Sequence, residues 1–344
     1  MSCVKPVFGW IPRTSLLFPL LADHSVIYQF IPIAPVRVME RLIRSMVPGT
    51  MAVLDLEDGY LDVRDPGKTS ARRASGRKQL LEICANAKGR TGGRPVAMRV
   101  NVVGSEDFAR DLPVARAACE TFGLAVVMLP KVESADQLRR AHAELSAEGI
   151  EPGGLVPMVE TRKGIDRIDE IAAAAVALGS PAILYGHHDY WLDAAAWPFP
   201  TPREKSYWEP VERIAGPAMA TGLRYMHPPE AELRDEVLLG GMVARLRNIC
   251  GDRFDVLSAG MSQTSLLLHL VEDASPGDSR SESIAEHAPL EPAERIRLAK
   301  ETCDLFEENN RQEHSFSADA RSGRFISPHE YLAAADYLRL HRDA

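Results

Sequence analysis

Four residues suited to handling charge recur at a nearly constant interval. Arg99 to Lys131 is 32 residues, Lys131 to Glu160 is 29, and Glu160 to Asp189 is 29. Each follows or closes a short apolar run: VAMRVN at 96–101, LAVVMLPKV at 124–132, GLVPMVE at 154–160, and AILYG at 182–186 ahead of His187, His188 and Asp189. A fifth run, AVLDLED at 52–58, closes in Glu57 and Asp58. Glu160 and Asp189 end neighbouring runs. Two carboxylates, no organised cysteine and an open aqueous mouth suit Mg2+, with Mn2+ as the alternative, because such cations keep several waters and let a substrate complete the shell. The competing role for each carboxylate is to cap the next helix or to pair with a basic neighbour.

Arg99 presents a planar guanidinium that can grip a carboxylate bidentately or steady negative charge developing on an oxygen. Its competing role is an ion pair with Glu57 or Asp58, and the two roles are compatible. Glu57 and Asp58 can order waters around a metal or fix Arg99. Lys131 adds local positive charge for an anionic substrate. His187 and His188 lack an H-x-x-x-H or H-E-x-x-H pattern, and neighbours on an extended segment point opposite ways. A transition-metal site is therefore disfavoured, and His188 is left to reach substrate. Lys68 and Arg72 read as a solvated helix face. Gly260 to Thr264 lacks the second glycine of a nucleophile elbow, and RTGGRP at 90–95 lacks the ending of a phosphate loop.

These residues need elements to position them. A period of about thirty residues is one strand, one helix and two loops, and continuous apolar runs are what strands buried on both faces look like. SLLFPLL at 15–21, LRYMHP at 223–228 and FDVLSAG at 254–260 bring the runs to eight. That count fits a (β/α)8 TIM barrel, in which the C-terminal strand ends, and so the charges, converge on one face. Helices are expected at 134–148 behind Ser134, at 165–178 before Gly179, and at 235–250 before Gly251. The stretch 272–293 is rich in Ser, Pro and acidic residues and reads as a linker. The expected organisation is a catalytic barrel at 1–271, the linker at 272–293, and a small C-terminal helical module at 294–344 with helices at 294–309 and 329–339.

Composition narrows the partners. The 344 residues are 45% hydrophobic and 26% charged, enough for a sizeable core, and the net charge of -8 argues against nucleic acid. Cys3, Cys84, Cys119, Cys250 and Cys303 form no pattern and read as reduced thiols of a cytoplasmic protein. The start has no basic, apolar and cleavage-site order of a signal peptide, and no run is long enough to span a membrane.

Taken together, several short motifs resemble the HpcH/HpaI aldolase and citrate lyase beta-subunit family, on its citrate lyase-like branch. They are RTSLLFP at 13–19, VLDLEDG at 53–59, Lys68 with Ala71–Arg72, RVN at 99–101, MLPKVES at 128–134, VET at 159–161 with Gly164, and G-x-x-D from Gly186 to Asp189. The resemblance implies a TIM barrel and Mg2+-dependent making or breaking of carbon–carbon bonds on malyl-, citramalyl- or citryl-thioesters. It implies that Glu160 and Asp189 hold the metal and that Arg99 binds the oxygen becoming an enolate. It also implies a homotrimer or homohexamer whose C-terminal module covers a neighbouring subunit's site. Three departures stand out. Extra residues including FIPIAPV lie between Pro19 and the DLED run; LSAGMSQTS at 257–265 replaces I-H-P-x-Q; GRFISP replaces G-K-M-I-D-x-P, with Ser327 where the family has an acidic residue.

The expectation is a Mg2+-dependent lyase or aldolase cleaving a β-hydroxy acid or its coenzyme A thioester. Arg99 and Glu57 are its catalytic residues, Glu160 and Asp189 its metal ligands, and Arg99, Lys131 and His188 its substrate contacts. A free, non-thioester acid is the first variant of this expectation. A barrel without catalysis, binding a metabolite or a partner protein, is the rival from another class.

Overall fold

The computed structural model describes residues 25–31, 36–87, 96–274, 290–309, 317–318 and 324–341. Eight parallel strands close into a barrel in the order β1 to β8. They are β1 Ile27–Ile31, β2 Thr50–Asp55, β3 Val96–Arg99, β4 Leu124–Leu129, β5 Leu155–Val159, β6 Ala182–Tyr185, β7 Arg224–His227 and β8 Phe254–Ser258. Closure runs through β1, which pairs Ile27 with Thr50 on one side and with Val256 on the other. The sequence placed the first strand at 15–21, which lies outside the described residues. The barrel's first strand is instead IYQFI, inside the stretch that looked like an insertion. Its pattern was hidden because Gln29, a polar residue, is buried at its centre, taking a hydrogen bond from Thr264 at 2.8 Å.

Alternation along the strands sorts side chains into two layers. Val53, Met128, Val156, Leu184 and Met226 fill the barrel, whereas Leu54, Leu129, Val159, Tyr185 and Tyr225 pack outward under the helices. Seven longer helices serve the argument below: α1 Val36–Ser45, α2 Pro66–Ala87, α3 Glu106–Phe122, α4 Ala135–Ala147, α6 Ile168–Ala177, α8 Lys205–Thr221 and α9 Glu236–Cys250. Two short ones sit at strand ends, α5 Arg162–Asp166 and α7 His187–Asp193, and α10 Met261–Asp273 follows β8. Local chemistry sets where they start. Ser134 accepts from Gln137 N–H, Thr161 from Gly164 N–H and Asp235 from Leu238 N–H, each offsetting unpaired first-turn donors. The single helix expected over 165–178 is broken at Arg167, where α5 ends and α6 begins.

The C-terminal module comprises α11 Pro292–Asn309, a two-stranded hairpin of β9 Ser317–Ala318 and β10 Phe325–Ile326, and α12 Pro328–Leu340. It rests on this same chain's barrel. Phe325 N–H donates to Ala231 O at 2.9 Å beyond β7. Trp191, Trp197 and Phe199 from the segment after β6 pack with Ala299, Ala333 and Ala334 of the module. That apolar contact fixes α12 across the C-terminal mouth. Cys84, Cys119, Cys250 and Cys303 are unpaired thiols. No described helix is long and apolar enough to cross a membrane.

Candidate active site

The mouth is organised from β2 outward. Asp55 ends β2, and its carboxylate accepts from the N–H groups of Glu57 at 3.0 Å and Gly59 at 2.8 Å, folding DLEDG back on itself. The same carboxylate takes a two-pronged grip from Arg99 on β3: Nε to Oδ1 at 2.8 Å and Nη2 to Oδ2 at 2.7 Å. Arg99 Nη1 donates to Asp58 at 2.8 Å and faces Glu57 Oε2 at 3.2 Å. Burial would lower the guanidinium's affinity for its proton, but Asp55, Asp58 and Glu57 outweigh that and hold it firmly charged. The ion pair expected with Glu57 or Asp58 exists, but its principal partner is Asp55, which sequence reading passed over. Its alternation pattern marked it only as a strand residue; the DLEDG turn is what brings it round to Arg99. Asn101 ties the arrangement down, donating to Leu56 O and to Asp111 of α3, both at 2.9 Å.

Lys131, just past β4, has a backbone φ of 53°. This left-handed conformation is costly for a lysine and persists where surroundings enforce it. Here its N–H donates to Glu160 at 2.7 Å, and its ammonium bridges Glu57 at 2.8 Å and Asp189 at 3.0 Å. Glu160, past β5, lies against Gly186. A side-chain carbon built on Gly186 would stand 2.0 Å from Glu160 Oε2 and 2.6 Å from its Cβ. The glycine of G-x-x-D is therefore a requirement of close approach. Burial, then the charge of Asp189, pushes the Glu160 carboxyl well above the usual range. Asp189 behaves oppositely: burial would raise it, but His329 and Lys131 together hold it well below. Burial and Asp58 raise Glu57 to about 7, against Lys131 and Arg99.

His187 and His188 are not on an extended segment. They open α7, and both rings turn into the protein, their centroids 4.0 Å apart. Tyr185 and the α7 turn continue the chain directly from β6, so the extended geometry assumed for them ended one residue early. Burial, then the neighbouring His329, pushes His188 down to about 3. Arg72 is likewise not on a solvated face: it pairs with Asp62 at 3.2 Å and lines the central cavity. Lys68 is exposed, as expected of a solvated face.

His329 is the residue that sequence reading missed. From the first turn of α12 its Nε2 approaches Asp189 at 3.3 Å and Asp58 at 3.9 Å. Burial opposes its protonation, yet Asp189 and Asp58 raise it. One donor atom each from Asp58, Asp189 and His329 lies within 4.8 Å of the others. Glu160 stands outside that trio. The available signal was the helix start. Ser327 Oγ accepts from Glu330 N–H at 3.0 Å, the capping contact that S-x-x-E announces. Ser327 thus serves as a helix cap where the family resemblance has an acidic group, and the site is reached two residues later.

A cavity of about 700 Å3 opens over these residues. Asp55, Asp58, Arg99, Glu160, Asp189 and His329 line its charged side, and Tyr185, His187 and His188 continue the wall. With this geometry in view, comparison with known proteins is specific. The family model for HpcH/HpaI aldolase/citrate lyase matches residues 44–226, from α1 through β7. The chain belongs to this family.

Curated relatives include a citrate lyase subunit beta-like protein of Mycobacterium tuberculosis. It is 29% identical over 150 residues, which is 44% of this chain and 44% of that one. The chain therefore aligns over less than half the length of the curated relatives it matches. Among solved structures, protein CitE of M. tuberculosis in complex with magnesium, acetoacetate and coenzyme A matches with a TM-score of 0.53 at 20% identity, over 93% of this chain and 98% of that one. The citrate lyase beta subunit of the same organism, complexed with oxaloacetate and magnesium, matches at 0.52 and 22%, over 72% and 97%. A citrate lyase from Burkholderia xenovorans matches at 0.57 and 16%, over 93% and 92%. At these identities the likeness establishes the shared TIM-barrel fold.

Proposed function

We propose that this protein is a Mg2+-dependent carbon–carbon lyase acting on a β-hydroxy acid or its coenzyme A thioester, through Glu160 and Asp189 as metal ligands. The observation that carries this is the pair itself. Both carboxyls line the same cavity and are tied together by Lys131, whose N–H donates to Glu160 and whose ammonium pairs with Asp189; burial first, and the charge of Asp189 second, push the Glu160 carboxyl well above the usual range. A divalent cation held by both would offset their burial and their mutual repulsion, and an all-oxygen pair in a wet mouth suits a hard ion. Asp58 and His329 adjoin Asp189. A bound divalent cation supplies Lewis-acid stabilisation of charge on substrate oxygen.

The chain's own groups do the rest. Cleavage removes the substrate's hydroxyl proton, breaks the adjacent carbon–carbon bond, and leaves an enolate whose carbon must gain a proton. Arg99, held by Asp55 and Asp58, presents a fixed positive group to the oxygen that becomes enolate. Lys131 bridges Glu57 to Asp189 and so couples the acidic turn to the ligand pair. Glu57, raised to about 7, is matched to proton exchange near neutrality. His329 Nε2 is the proton-carrying group that the module contributes. His188, kept neutral, stacks parallel to His329 at 6.5 Å and limits the substrate's width.

The experiment is direct: incubate the protein with malyl-, citramalyl- and citryl-coenzyme A and with the free acids, with Mg2+ or with chelator, and follow keto-acid release by NMR. Release that requires Mg2+ supports the lyase, and the active substrate decides between thioester and free acid. No release from any of them with Mg2+ present contradicts it.

A further inference from the structure

The cavity has a charged arc and an apolar one. Asp55, Asp58, Arg99, Glu160 and Asp189 line it from the ends of β2, β3, β5 and β6. Across the mouth, the ends of β7, β8 and β1 are consecutive in the barrel. They contribute Pro229, Ala259 and Phe30, each half-buried and each lining the cavity. Phe30 packs with the barrel-filling layer, so its ring faces the interior, and the Arg99 guanidinium lies 4.8 Å from the ring centroid. The apolar arc therefore begins where the charged one ends. The C-terminal module closes it from above. Phe325, also half-buried and lining the cavity, is tied to the segment after β7 by its N–H to Ala231 O, and its ring stacks on that of His188 at 6.5 Å. The cations that line the cavity each face a carboxylate already: Arg99 meets Asp55 and Asp58, Arg72 meets Asp62, and His329 meets Asp189. Among the described residues, none on the apolar arc is charged.

We propose that the arc of Phe30, Pro229, Ala259 and Phe325 binds a bulky hydrocarbon side chain on the keto-acid half of the substrate. A keto acid held at Glu160 and Asp189 by its two oxygens has its remaining substituent directed away from β5 and β6, toward β8 and β1. There a hydrocarbon group removes apolar surface of both partners from water. A second carboxylate in the same place would lose its water with no cation to face it, at a heavy desolvation cost. A methyl group would leave the two phenyl rings wet. The arc thus selects a branched or aromatic keto acid over a small or a dicarboxylate one, and it rests on the metal-site reading above.

The test is calorimetry in Mg2+ with four keto acids: pyruvate, 4-methyl-2-oxopentanoate, phenylpyruvate and 2-oxoglutarate. In the wild type 4-methyl-2-oxopentanoate or phenylpyruvate binds about tenfold tighter than pyruvate, and 2-oxoglutarate binds no tighter than pyruvate. Phe325→Ala, which removes the module's ring from the arc, brings the ratio of bulky to small affinity close to one. Ala259→Lys, which adds a cation to the arc and removes no packed ring, makes 2-oxoglutarate the tighter ligand should Phe325→Ala fail to fold. Binding of every acid with ratios near one in the wild type, or tightest binding of 2-oxoglutarate, overturns the apolar subsite and leaves the metal site standing. An unchanged preference in both variants overturns it too. No Mg2+-dependent binding of any acid overturns the metal-site reading and the subsite with it.

Discussion

Gly186→Ala isolates the role of close approach at the site. The backbone φ at Gly186 is -106°, which alanine adopts freely, so any effect comes from crowding alone. The added carbon would sit 2.0 Å from Glu160 Oε2, 2.6 Å from Cβ and 2.9 Å from Cδ. Rotating the carboxyl away relieves the first contact but not the second, because Cβ follows the backbone. Either β5 and β6 separate locally or Glu160 leaves its hydrogen bond to Lys131 N–H. Overpacking of this kind costs about 1–3 kcal/mol, and the lost bond to a buried carboxyl adds a similar amount. A fall in melting temperature of roughly 5–10 °C follows. Mg2+ affinity, read by calorimetry on the same sample, falls about ten- to hundredfold, the usual effect of displacing a ligand's support. A variant that melts like wild type and binds Mg2+ as tightly would refute the claim that Glu160 is held by contact with Gly186.

Glu57→Gln tests the buried acidic turn through pH. The folded value of Glu57, about 7, lies above its unfolded value, so its contribution is fully present below about 4.5 and is lost as pH rises through 7. Wild-type stability relative to the variant should therefore decline across that window, by on the order of 3 kcal/mol in metal-free protein, in denaturant titrations at several pH values; a pH-independent difference contradicts it. Arg99→Lys keeps the charge but cannot reproduce the two-pronged contact with Asp55. It leaves buried carboxylates partly unpaired, and a loss of about 3–5 kcal/mol should appear in thermal melts. His329→Ala should lower kcat by roughly a hundredfold or more while leaving Mg2+ affinity unchanged or higher, since an imidazolium on Asp189 competes with a cation. Steady-state kinetics beside metal titration separates these effects.

Much of this was legible in the chain, and for definite reasons. Strands two to eight announced themselves because strands buried on both faces must be continuously apolar, and the charges ending them fell on one barrel face as the repeat required. Ser134 and Asp235 marked helix starts because a cap is a local interaction. What escaped depended on long-range geometry. Ile27–Ile31 carries a buried glutamine whose partner, Thr264, is far away in sequence. Asp55 looked like one more strand residue until the turn after it folded back. His329 enters the site only because an aromatic cluster around Trp191 and Trp197 seats α12 over the mouth, and no periodicity reports such docking.

The central claim is that Glu160 and Asp189 bind a divalent cation that in turn holds a keto acid. Calorimetry of pyruvate, glyoxylate and oxaloacetate, with and without Mg2+, on wild type and Asp189→Ala tests it most directly. The account predicts binding of at least one keto acid to the wild type that requires Mg2+ and disappears in the variant. Binding that is indifferent to Mg2+, or that survives in Asp189→Ala, would contradict it.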